Sequence, residues 1–85
     1  MAYITLAELR THYELAMQQY RGLNARQAVF AGRRACEIGR LLSDAGCGVP
    51  PRAPEDTQEN LSVAATCGIA RIELPAGWLE SMRWK

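Results

Sequence analysis

Apolar residues return at helical spacing from the start of the chain. Leu6, Leu9, Tyr13, Ala16, Met17 and Tyr20 fall on one face and leave Glu8, Thr11, Gln18 and Gln19 outward. Just ahead, Thr5-Leu6-Ala7-Glu8 spells a capping box, in which hydroxyl and carboxylate satisfy backbone N–H groups reciprocally. Ile4 and Leu9 hold the two positions of a hydrophobic staple. Gly22 is placed to end this helix in the left-handed conformation. The pattern predicts a helix over 6–21.

A second periodic segment follows at once. Asn24 can cap it, with Gln27 three residues on, and the pattern runs to Ala45 before Gly46 stops it. On a wheel of about 100° per residue, Ala28, Ala31, Ala35, Ile38, Leu42 and Ala45 share one face. Arg26, Arg33, Glu37 and Arg40 form the opposite stripe, with Val29 and Phe30 inside it. Gly32 and Gly39 each cost about 1 kcal/mol relative to alanine within a helix, a cost that close helix packing offsets. So short a connection between 6–21 and 24–45 forces an antiparallel hairpin.

Residues 46–55, with Pro50, Pro51 and Pro54, read as a loop. Asp56 with Glu59 gives another capping signal, so 57–67 reads as a short helix ended by Gly68. Residues 61–67 as a strand, neighbouring 69–74, are the competing reading. A helix and then a strand over 69–74 fits better, followed by a turn at Pro75-Ala76-Gly77 and one amphipathic turn through Trp78, Leu79 and Met82. The fold class expected is mainly α with some β: an antiparallel helical hairpin (6–45), a Pro/Gly loop (46–55) and a mixed helix/strand packing unit (56–85), all in one domain. The hairpin packs through the alanine face and the face of Leu6, Tyr13, Met17 and Tyr20.

The composition is that of an ordinary globular chain: 85 residues, 48% hydrophobic, 22% charged and a net charge of +1. That balance argues against wholesale attraction to nucleic acid or to an anionic membrane. Locally, Arg21, Arg26, Arg33, Arg34 and Arg40 face only Glu37 within residues 21–40, while residues 53–85 are mildly acidic, so the two regions are expected to attract each other. No run approaches the roughly 20 apolar residues of a membrane span, and the start carries no basic-then-apolar signal pattern. Three irregularly spaced cysteines fit reduced thiols in a cytoplasmic protein. Nine arginines against one lysine, with thirteen alanines, suggest GC-rich coding and a bacterial or phage source.

Catalytic groups are scarce. His12 and Cys36 are the one nucleophile–base pair that can be drawn across the hairpin, and no third group orients them. Cys36 lies near the arginine stripe, where positive charge lowers a thiol pKa. Cys36, Cys47, Cys67 and His12 match a zinc site in number but not in spacing, so the cysteines read as buried small hydrophobes. Gly46-Cys47-Gly48 is too short for a phosphate loop. The expectation is a non-enzymatic chain with no catalytic residue, no cofactor and no metal.

Counted from Asn24, the residues Ala28, Gly32, Ile38 and Leu41 take positions that resemble a helix-turn-helix. Gln27 and Arg33 depart from it, standing where such motifs bury apolar side chains, and nothing after Gly32 breaks the helix. A continuous helix fits better. What the stripe offers is an interface: Arg and aromatic side chains dominate interface centres, where lysine is depleted. Arg26, Phe30, Arg33, Arg34 and Arg40 are the expected partner-binding residues, with a protein as the partner and a homodimer as a further expectation. The alternative is a nucleic-acid binder using the same arginines on phosphates. Phe30 with Leu41 also offers a dock for residues 61–84, which would leave Arg33, Arg34 and Arg40 outward. Small size and the missing enzymatic motifs suit an inhibitor of a host protein, of the kind encoded by phages and mobile elements.

Overall fold

The computed structural model describes residues 2–22 and 24–81. Among the described residues, six elements follow one another: β1 (Ala2–Thr5), α1 (Leu6–Tyr20), α2 (Ala25–Asp44), α3 (Asp56–Thr66), β2 (Arg71–Leu74) and α4 (Trp78–Ser81). The molecule is mainly helical. An antiparallel helical hairpin, α1–α2, carries a short mixed C-terminal unit.

Local chemistry explains most of the boundaries. The Thr5 hydroxyl accepts from the Glu8 N–H at 3.1 Å, which caps α1. The box closes differently from its usual form, since the Glu8 carboxylate accepts from the Thr5 hydroxyl at 3.0 Å. Asn24 caps α2, its Oδ1 accepting from the N–H groups of Arg26 at 3.0 Å and Gln27 at 3.3 Å. Gly46 turns the chain out of α2 with φ of +88°, and the Cys47 N–H reaches back to the Leu42 carbonyl at 2.8 Å. Gly68 does the same after α3, with φ of +73°.

Two caps differ from their sequence readings. Gly22 is not left-handed; its N–H and that of Arg21 close the last turn of α1 onto Gln19 and Met17 instead. Asp56 does not cap α3, because the helix starts one residue earlier than expected. Its carboxylate turns back and accepts from the N–H groups of Arg52 and Ala53, at 3.0 and 3.1 Å, bracing the loop that leads in.

The strand reading of 61–67 is excluded by α3. β2 pairs instead with β1, antiparallel, with Ile4 opposite Ile72 and Ala2 opposite Leu74. Ile4, Ile72 and Leu74 face the core, while Tyr3, Arg71 and Glu73 face solvent. On that outer face the Arg71 guanidinium lies 5.4 Å from the centre of the Tyr3 ring. The strand Ala2–Thr5 went unforeseen because four residues with one inward side chain carry no periodicity of their own.

The core draws on every layer. Leu9 and Ala16 of α1, Ala35, Ile38 and Leu42 of α2, Ala64 of α3 and Trp78 of α4 belong to one cluster with Ile4 and Ile72. Ala31 and Ala35 are fully buried, so the small-residue face of α2 is used within the chain. Ala45 falls past the end of α2 and is exposed.

The helical glycines mark the close approaches. A Cβ on Gly32 would stand 3.2 Å from the Tyr20 ring and 3.4 Å from Pro54. A Cβ on Gly39 would overlap the Thr57 hydroxyl and stand 2.7 Å from Pro51. α3 locks onto α2 at this point through two buried polar side chains. Thr57 donates to the Ala35 carbonyl at 2.6 Å, and the Asn60 amide donates to the carbonyls of Gly39 and Val49, each at 2.9 Å. Buried hydrogen bonds of this kind fix register as well as position, because an orphaned amide would cost more than a paired one contributes.

Candidate docking face on α2

The arginine stripe lies on the solvent side of α2. Arg26, Arg33 and Arg40 are exposed, and they recur every seventh residue, about 10.5 Å apart along the axis. Arg40 sits 3.6 Å from Glu37, an exposed ion pair of little energetic weight. Val29 and Phe30 stand beside these arginines with 58% and 55% of their surface open. Single exposed apolar side chains are ordinary, and Tyr3, Leu15, Val49 and Leu79 are exposed as well; what distinguishes Val29 and Phe30 is that they are adjacent and lie among arginines.

Phe30 is therefore not covered by the described part of the 61–84 segment, and Met82 and Trp84 lie outside the described residues. The described part of that segment packs elsewhere: α3 lies against α2 through Thr57 and Asn60, β2 pairs with β1, and Trp78 enters the core. Leu41, the other half of the expected dock, is buried separately. Arg34 also departs from the outward set. It is half-buried, and loss of water holds its guanidinium pKa below the ordinary arginine value.

Tertiary structure adds residues to the face that helical periodicity could not supply. A depression of about 520 Å³ runs beside the stripe, lined by Tyr20, Val29, Gly32, Arg33, Cys36 and Pro54. Gly32 opens its floor, and Tyr20 and Pro54 arrive from α1 and the proline loop. Val29 was visible in the stripe but does not appear among the expected binding residues. Its exposure beside Phe30 makes it part of the same surface. A second cleft of about 370 Å³ lies between α1 and α3, walled by Arg10, Tyr13, Met17, Arg21, Gln58 and Leu61. Burial raises the Tyr13 pKa there, with Arg21 opposing and Glu55 reinforcing the shift.

The thiols are differently placed from one another. Cys47 is buried, Cys36 is half-buried and Cys67, just past the end of α3, is exposed, so the expectation of three buried cysteines holds for Cys47 alone. Burial raises the Cys36 pKa, outweighing the nearby Arg40 that lowers it; Asp56, Glu37 and Glu55 push it further up. The expected activation of this thiol by the arginine stripe is thus reversed, because desolvation disfavours the thiolate more than one exposed cation favours it. Burial raises Cys47 as well, with Cys67 adding to the shift. Among the described residues, no three His, Cys, Asp or Glu side chains come together to hold a metal ion. No helix among them is long and apolar enough to cross a membrane.

α2 is one continuous helix from Ala25 to Asp44, without the break that a helix-turn-helix requires after Gly32. Comparison with protein-family models, with curated proteins and with solved structures finds no match to this chain.

Proposed function

We propose that this chain is a small, non-enzymatic protein-binding module that docks through the outer face of α2, as an inhibitor of a host protein encoded by a phage or mobile element would. The single observation that carries this reading is the pair Val29 and Phe30, both more than half exposed and set between Arg26 and Arg33. Large apolar side chains ringed by arginines match the composition of interface centres, where such residues supply most of the binding energy. Arg40 extends the face and the Tyr20–Pro54 depression gives it relief, while Arg34 is half-buried beside it in sequence. A cytoplasmic partner suits three thiols that stand free of disulfides.

The test is affinity capture with the intact chain, followed by mass spectrometry, with Phe30→Ala and Arg33→Ala as comparators. A partner retained at moderate salt by the wild type, and lost by both variants with helicity unchanged, supports the proposal. Equal capture by the variants refutes it. The seven-residue spacing of Arg26, Arg33 and Arg40 favours one second reading, a phosphate-tracking face for nucleic acid. In that case duplex or single-stranded DNA binds in a gel shift, log affinity falls steeply with log salt, and each arginine removed lowers the slope by about one.

A further inference from the structure

The outer edge of β2 carries a self-complementary charge pattern that is in phase with its own hydrogen-bonding groups. The Leu6 N–H donates to the Ala70 carbonyl at 2.9 Å at one end of the β1–β2 ladder. Counting from that bond, the alternation of an antiparallel pair makes Ile4–Ile72 and Ala2–Leu74 the hydrogen-bonded pairs. The N–H and C=O groups of Arg71 and Glu73 therefore point away from β1. Among the described residues, no turn, loop or cap bond reaches them.

We propose that this edge joins a second copy of the chain, β2 against β2, antiparallel about a two-fold axis at Ile72. Three registers keep the outward groups of both strands in phase. Centring on Arg71 sets arginine against arginine. Centring on Glu73 sets glutamate against glutamate and brings Pro75, which has no N–H, opposite Arg71. Centring on Ile72 alone sets Arg71 opposite the second copy's Glu73, and Glu73 opposite its Arg71, with backbone bonds exchanged at both pairs. Opposite charges directly across a ladder stabilise pairing and like charges oppose it. Both side chains lie on the exposed face of the sheet, and Arg71 would exchange or share its contact with the Tyr3 ring to meet the second copy's Glu73.

The rest of the neighbourhood agrees. A two-stranded sheet leaves an edge that invites another strand, and the pairing makes it four-stranded. Ile72 and Leu74 continue the inner apolar face across the axis. Leu79, 48% exposed, borders an apolar depression of about 490 Å³ that begins at Glu73 and Leu74, giving the second copy apolar surface beyond the strand. This contact uses no residue of the α2 face, and the proposal does not rest on what that face binds.

Sedimentation equilibrium of the full chain over micromolar concentrations is the test, with circular dichroism to check the fold. The wild type is expected at twice the 9.4 kDa chain mass. Arg71→Glu and Glu73→Arg should each weaken dimerisation roughly ten- to a hundredfold, since each converts two attractive pairs into repulsive ones. Mixing the two variants should restore a dimer, as should Arg71→Glu combined with Glu73→Arg in one chain. Glu73→Pro removes an outward N–H that β1 does not use, and should give a folded monomer. A wild-type monomer throughout, or a dimer unaffected by both reversals and by Glu73→Pro, overturns the proposal. If a single reversal fails to fold, the doubly reversed chain decides: a dimer supports the pairing and a monomer overturns it.

Discussion

Replacing Gly39 by alanine isolates the contact that holds α3 on α2. Helix propensity favours the change by about 1 kcal/mol. Space opposes it: the new Cβ would overlap the Thr57 hydroxyl and stand 2.7 and 3.2 Å from Cγ and Cδ of Pro51. A proline ring cannot rotate aside, so α3 and the loop must shift together. Overpacking of this kind costs about 1–3 kcal/mol. The shift also stretches the bonds from Thr57 to Ala35 and from Asn60 to Gly39, which contribute about 1 kcal/mol each. The net is a loss of about 2–4 kcal/mol, a large share of what a domain of this size has. Urea denaturation followed by circular dichroism measures it, as a lower midpoint at unchanged slope. Thr57→Ala in the same chain should recover part of the loss, because it removes one of the overlapping atoms; the double variant should be less destabilised than the two losses added. Gly32→Ala is the contrasting control. There the nearest atoms belong to the Tyr20 ring at 3.2 Å, which can give, and the expected change is within about 1 kcal/mol of zero. A Gly39→Ala chain as stable as wild type would show that α3 is not seated by Thr57 and Asn60.

The thiols should react in the order of their exposure: Cys67 promptly with a thiol reagent, Cys36 slowly and Cys47 only as the chain unfolds, which timed mass spectrometry of the labelled peptides would resolve. Stability should fall in alkali. Burial raises the folded-state pKa values of Cys36, Cys47 and Tyr13, so the unfolded chain releases its protons first. The stabilisation is fully present below about pH 8.5 for the thiols and is lost as pH rises through their folded values, with Tyr13 following above about pH 10. Thermal midpoints measured across that range should decline, and Cys47→Ala should flatten the thiol part of the decline; an unchanged curve would refute this account of the Cys47 environment.

What the sequence determined was local. The caps at Thr5 and Asn24, the stops at Gly46 and Gly68 and the two apolar stripes act between residues a few positions apart, so the hairpin, α3 and β2 can be read without knowing the fold. The arginine stripe was legible for the same reason, being a property of one helix. What the structure decided depends on distant partners. β1 exists only because Arg71–Leu74 returns to pair with it, and neither strand shows this from its own four residues. The exposure of Phe30 follows from where α3 docks, and that place is chosen by Thr57 and Asn60, whose polarity reads as surface until their bonds to Ala35 and Gly39 are seen. Arg34, on the wheel a neighbour of the outward arginines, is drawn in by tertiary packing, and Tyr20 and Pro54 reach the α2 face across the fold. Periodicity says which side of a helix is apolar; which apolar surface is covered depends on the free energy of the whole packed arrangement, and here that arrangement left Val29 and Phe30 in water.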